Sequence, residues 1–153
     1  ITNRTILVSV MYANNEIGSI QPIKDLCAIA HSYGALFHTD AVQAVGHVRI
    51  DVNDLAVDML SASAHKFNGT KGVGFLYIRK GTPISAYVDG GAQERGLRAG
   101  TENVAGIVCM ATALKRNLDS LEENQRHILS LENRLLYKEY NLLEMEEQIF
   151  YPV

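Results

Sequence analysis

Residues 35–66, ALFHTDAVQAVGHVRIDVNDLAVDMLSASAHK, decide the fold. The stretch opens on one short apolar run, Ala35 to Thr39, and closes around a second, Met59 to Ala62, both of strand length and composition. Between them Asp51-Val52-Asn53-Asp54 is a polar break with good turn chemistry. The connection exceeds the dozen or so residues that a parallel crossover requires, so the two strands are expected to run the same way. Each leads into a chemically capable segment, His38-Thr39-Asp40-Ala41-Val42-Gln43 after the first and Ser61-Ala62-Ser63-Ala64-His65-Lys66 at the second.

Upstream, Ile6, Leu7, Val8, Val10 and Met11 form an apolar, β-branched run bounded by Asn14-Asn15, expected as a strand buried on both faces and ending at Tyr12. A buried strand this close to the first residue needs neighbours from elsewhere, so the chain is expected to be a piece of a longer protein. Pro22 suits a first helical turn, and Ile23, Leu26, Cys27, Ile29 and Ala30 make an apolar stripe that Gly34 terminates. Downstream, Val73 to Arg79 is strand-like but follows a Gly-rich loop without helical periodicity, so it is expected to return antiparallel. From Thr101 the pattern changes. Ile107, Ala111, Leu114, Leu118, Leu121, Gln125 and Ile128 step by fours and threes as one stripe of a long helix, expected to pack on the sheet or on a second domain, and Thr101-Glu102-Asn103 can cap its start. The fold class is therefore α/β, a mixed and mostly parallel sheet flanked by helices and followed by a long helix.

Bulk properties narrow the function. With 153 residues, 47% of them hydrophobic, and a formal charge of -3, the chain fits one domain of ordinary size. No apolar stretch approaches the roughly 20 residues of a membrane span and no leader pattern precedes the first strand, so neither membrane nor secretion is expected and the cytoplasm is the default location. The absence of a Lys/Arg block argues against a nucleic-acid partner. Cys27 and Cys109 lie far apart without CxxC spacing and among apolar residues, which reads as two structural thiols. His31, His47 and His127 lack partners at metal spacing, so no metal is expected, and His38 reads as a hydrogen-bonded core residue. Gly72-Val73-Gly74 lacks the third glycine and the preceding strand of a dinucleotide loop.

Ligands of open parallel sheets bind outside the carboxyl ends of the strands, where successive loops converge. Asp40 and Lys66 are expected to meet there. Pyridoxal 5'-phosphate needs a lysine amine to hold it, a carboxylate to keep its ring nitrogen protonated and donors for its phosphate, and Asp40, Lys66, Ser63 and His65 offer that set.

NNEIGSIQP (14–22), HTDAVQAVG (38–46), SASAHKFNGTKGVGFLYIR (61–79) and GGAQERGLRAGTEN (90–103) occur in the order, and with the character, of the cysteine desulfurases of the iron–sulfur-assembly and nitrogen-fixation type. The chain resembles these class V aminotransferases from about Thr5 to about Arg116. The resemblance implies that Lys66 holds pyridoxal 5'-phosphate, that Asp40 pairs with its ring nitrogen, and that Gln43 bonds its phenolic oxygen with Asn15 alongside. Ser63, the peptide at Ala64 and His65 match phosphate-binding positions, and Thr101 matches a threonine that reaches the phosphate of a partner subunit, which implies a homodimer. The implied reaction takes sulfur from L-cysteine, leaving L-alanine and an enzyme persulfide, and hands it to an acceptor protein such as an iron–sulfur scaffold.

The implied domain division places residues 1–116 in part of the cofactor-binding large domain and 117–153 in the helix and a divergent tail leading to a small domain. The family's nucleophilic cysteine and the arginine for the substrate carboxylate lie further on, and neither Cys27 nor Cys109 stands in the matching context. Thr70 replaces a proline common in relatives, loosening the turn after Lys66. Two rival readings remain at this point: selenocysteine lyase or another class V enzyme, and a non-catalytic piece that only dimerises or binds cofactor.

Overall fold

The computed structural model describes residues 1–139, with side chains described as far as Leu135, so of the helix continuation and divergent tail expected over 117–153, residues 140–153 lie outside the described residues. Four strands form one sheet in the order β1 (Leu7–Met11), β2 (Leu36–Asp40), β3 (Met59–Ser63), β4 (Gly74–Ile78). The pairs β1–β2 and β2–β3 are parallel, and β3–β4 is antiparallel. This is the mixed sheet expected from the long and short connections.

Helix α1 (Ile23–Ser32) crosses from β1 to β2 and buries Ile23, Cys27 and Ala30, its i, i+4, i+7 stripe. Gly34, at φ +73°, follows its end. The short α2 (Val52–Leu55) starts where the sequence placed a polar break: the Asp51 carboxylate accepts the Asn53 N–H at 2.8 Å. These helices and one sheet face enclose a core built on Phe37, Phe67, Val57, Leu60, Ile23 and Cys27.

The opposite sheet face is open among the described residues, so β1, expected to be buried on both faces, is covered on one of them here. Its residues alternate instead of being buried throughout, and Leu7 and Met11 are exposed while Val8 and Val10 pack against the core. The apolar run in the sequence hides that alternation because Leu7 and Met11 are as apolar as the residues that pack.

The C-terminal helical run is long, as expected, but divides at Ser120 into α3 (Val104–Asp119) and α4 (Leu121–Glu139). Asn103 caps α3, accepting the Gly106 N–H at 3.0 Å. The face that packs is also rotated from the expected stripe: Met110, Ala113 and Leu114 meet the core, Leu121 is buried, and Ile107, Leu118 and Ile128 stay exposed. Gly106 makes this approach possible, since a Cβ there would come within 2.5 Å of the Val73 Cγ2. No helix among the described residues is long and apolar enough to cross a membrane.

Two polar features sit inside this core. Asp58 is satisfied: its Oδ2 accepts the Phe37 N–H at 2.7 Å and faces the His31 Nε2 at 2.8 Å. Thr39 is not, for its hydroxyl is buried without a hydrogen-bond partner among the described residues. A buried hydroxyl without a partner costs about 1–3 kcal/mol, and valine has nearly its shape. Thr39→Val is therefore expected to leave urea-unfolding stability unchanged or raise it by about 1 kcal/mol; a clear loss would mean that the hydroxyl has a partner.

Candidate active site

β1, β2 and β3 are parallel, so their carboxyl ends share one edge of the sheet. Three loops leave that edge: 12–22 carries Asn15, 41–51 carries Gln43, and a 3₁₀ turn, Ala64–Phe67, carries His65 and Lys66. Main-chain hydrogen bonds tie them together. The Tyr12 N–H donates to the Asp40 carbonyl at 2.8 Å, and the Ala41 N–H donates to the Ser61 carbonyl at 3.0 Å.

Asp40 ends β2 on the open face, in register with Ser61, and Ser63 follows two residues later on the same face. Its Oδ1 accepts the Val42 N–H at 3.0 Å, which fixes the start of the turn that presents Gln43. Asn14 and Asn15 divide their work. The Asn14 Oδ1 accepts the N–H groups of Glu16 and Ile17 at 2.8 and 3.0 Å and so builds the turn. The exposed Asn15 side chain forms no hydrogen bond among the described residues, nor does that of Gln43.

Ser63 Oγ lies 2.9 Å from the His65 Nδ1, pairing the two expected phosphate donors. Ala64 has a different part. Its N–H donates to the Val73 carbonyl at 2.9 Å and its side chain is wholly buried, so this peptide anchors the turn to the strand beside it. Lys66 is half-buried, and its ammonium has no ion pair among the described residues. Thr101 stands apart, exposed ahead of α3, with no hydrogen bond to the other site residues.

Sequence reasoning missed the supports. His38 is hydrogen-bonded, as expected, but on the open face and only half-buried: Ser9 Oγ lies 2.7 Å from its Nδ1 and Ser61 Oγ 3.2 Å from its Nε2, a bridge across three strands. His47 Nε2 donates to the Lys66 carbonyl at 2.8 Å, and Asn117 Nδ2 on α3 donates to the Phe67 carbonyl at 2.7 Å. Spacing along the chain carries no sign of such side-chain-to-carbonyl bonds.

The cysteines differ from each other. Cys27 is structural as expected: it is fully buried, burial pushes its thiol above the usual range, and its place beside His31 and Asp58 does not make it an accessible nucleophile. Cys109 is exposed, which corrects the expectation of a second core thiol. It lines a cleft of about 610 Å³ between the Asn68–Thr70 loop and α3, which none of the expected site residues lines.

The donor set fits a pyridoxal phosphate group: an amine without an ion pair, a carboxylate at the end of the adjacent strand, a hydroxyl–imidazole pair, and two side-chain amides without partners among the described residues. The fold is that of an open-sheet α/β protein, with Asp40 and Lys66 at the carboxyl edge of adjacent parallel strands. The chain belongs to the class V aminotransferase family, whose model matches residues 1–147. It is 53% identical over 136 residues to the cysteine desulfurase IscS of Clostridium botulinum, covering 89% of this chain and 34% of that one. A solved NifS-like protein superposes with a TM-score of 0.85 at 47% identity, over 89% of this chain and 38% of its own. The structure of SspA in complex with cysteine matches with a TM-score of 0.72 at 41% identity, over 75% of this chain and 34% of that chain. The chain thus spans about a third of the length of the curated relatives it matches.

Burial holds the His38 imidazole below its ordinary value of 6.5, and the nearby Asp40 carboxylate opposes that shift. A histidine whose folded pKa is lowered binds its proton less readily in the native state than in the unfolded one. Its contribution to stability is thus present above about pH 6.5 and is lost as pH falls through the folded value. Melting temperature should therefore fall more steeply below pH 6.5 in the native chain than in His38→Gln; parallel curves would show that His38 is not the group responsible.

Proposed function

We propose that this chain is the core of a pyridoxal 5'-phosphate-dependent cysteine desulfurase, which takes sulfur from L-cysteine to give L-alanine and an enzyme persulfide. The observation that carries the reading is the placing of Asp40 and Lys66 at the carboxyl ends of two adjacent parallel strands, on loops bonded to each other. The names of the relatives support the activity, and the solved complex of SspA with cysteine supports the substrate.

When bound, the cofactor supplies an electron sink for bonds next to the substrate amine. The chain's residues supply its placing. Lys66 holds the group covalently and Asp40 keeps a proton on the ring nitrogen. Gln43 would donate to the ring oxygen with Asn15 beside that oxygen and the substrate, while Ser63 and His65 would hold the phosphate. Ala64 contributes a buried peptide that fixes the turn.

Thr101, exposed and without a hydrogen bond to the other site residues of its own chain, serves the phosphate of the partner in a homodimer. Residues 1–116 form part of the large, cofactor-binding domain, and 117–153 lead toward a smaller one. The sulfur passes to an acceptor protein such as an iron–sulfur scaffold, in the cytoplasm. The thiol that first receives it is neither Cys27, which is buried, nor Cys109, which lines a different cleft.

Mixing the chain with pyridoxal phosphate and reducing with borohydride is expected to leave a stable adduct on Lys66, found by peptide mass spectrometry and absent in Lys66→Ala. Labelling elsewhere, or nowhere, would overturn the reading. Asp40→Ala should keep the adduct but, in the full-length holoenzyme, lower alanine release from L-cysteine by about 100-fold, the scale of losing one charged contact made in the transition state. Unchanged turnover would show that the ring nitrogen keeps its proton without Asp40.

A further inference from the structure

The Lys66 turn raises a local problem of hydrogen bonding. A 3₁₀ segment leaves the carbonyls of its last residues without partners inside the helix, and a short segment has few other bonds to hold its shape. In Ala64–Phe67 these are the carbonyls of Lys66 and Phe67, and both are taken by side chains from other elements. His47, from the loop that begins at Asp40, donates to the Lys66 carbonyl at 2.8 Å. Asn117, from α3, donates to the Phe67 carbonyl at 2.7 Å and accepts from the Asn68 side chain at 3.2 Å.

His47 is itself fixed from both sides. Its N–H donates to the Ala44 carbonyl at 2.9 Å, within the turn that carries Gln43, and its carbonyl accepts the Gln125 side chain of α4 at 3.0 Å. Gly46, next to it, has φ +83° and no room for a side chain, because a Cβ would lie 2.7 Å from the Phe67 Cβ. The Asp40 loop and the Lys66 turn are therefore packed closely at this point and joined by one imidazole.

We infer that His47, with Asn117 as its counterpart on α3, is a positioning residue: it sets the Lys66 turn relative to the Asp40–Gln43 loop, so that the amine and the carboxylate hold one spacing. The inference rests on Lys66 being the cofactor lysine. The imidazole is exposed, so truncating it opens no cavity in the core.

The test compares His47→Ala, His47→Gln and Asn117→Ala with the unmodified chain, using pyridoxal phosphate as the probe. Amide hydrogen exchange without cofactor should quicken across residues 64–69 in His47→Ala and Asn117→Ala, while β1 and β2 keep their protection. The rate of adduct formation at Lys66 should fall about 10-fold in both, since misplacing a reacting group by about an ångström costs up to about 100-fold. His47→Gln, which keeps an N–H donor at similar reach, should restore both readouts.

Unchanged exchange and adduct formation in His47→Ala would overturn the inference, and so would a glutamine variant that behaves like alanine. If the unmodified chain forms no adduct, the cofactor reading has failed, and hydrogen exchange still decides whether the two side chains hold the turn.

Discussion

The parallel pairing of β2 with β3 is the constraint on which the rest depends. Its register sets Asp40 against Ser61, and the Ala41 N–H continues the ladder one step past the strand to the Ser61 carbonyl. Side chains alternate along a strand, so a slip of one residue would turn Asp40 into the core and bring Thr39 to the open face. The core resists that slip through Phe37 and Leu60, both buried, and through Asp58, whose carboxylate accepts the N–H of Phe37. A carboxylate on one side of the sheet is thus held in place by apolar packing and a buried acid on the other.

The fold was legible in the sequence wherever a connection length or a turn residue settles direction. The residues between Thr39 and Met59 suit a parallel partner, and the Gly-rich link after Phe67 is too short for anything but a return strand; the pairings agree with both. Burial was less legible. Leu7 and Met11 in β1 are apolar yet exposed, so the run held no sign of which face is covered. The α3 stripe misled for a related reason: the helix approaches the core through Gly106, a residue that a hydrophobic pattern does not count, and this rotates the packed face toward Met110 and Ala113.

The site divides along a similar line. Asp40, Gln43, Ser63 and Lys66 stand at or just past strand ends, and strand ends can be found in a sequence. The residues that hold them cannot. His47 reaches a carbonyl 19 positions away, Asn117 one that is 50 away, and His38 bridges to Ser9 and Ser61 on neighbouring strands. A lone histidine gives the same signal whether it binds metal, fills a core or caps a turn, and only the geometry of the acceptor separates these uses.

Hydrogen bonding then separates, among residues of the same type, those committed to the framework from those without partners among the described residues. Asn14 spends its amide oxygen on two backbone N–H groups, and the adjacent Asn15 has no partner among the described residues. Asn103 and Asn117 are likewise committed to the backbone, while Gln43 lies in a turn whose geometry is set by Asp40 rather than by its own amide. A polar side chain that is not needed to satisfy the chain can keep its hydrogen-bonding capacity for a ligand without weakening the fold. The supporting bonds fall on Asn14, Ser9, His47 and Asn117, one step removed from the groups assigned to the cofactor. The fold can therefore keep the site's geometry while Lys66, Gln43 and Asn15 remain available to bind.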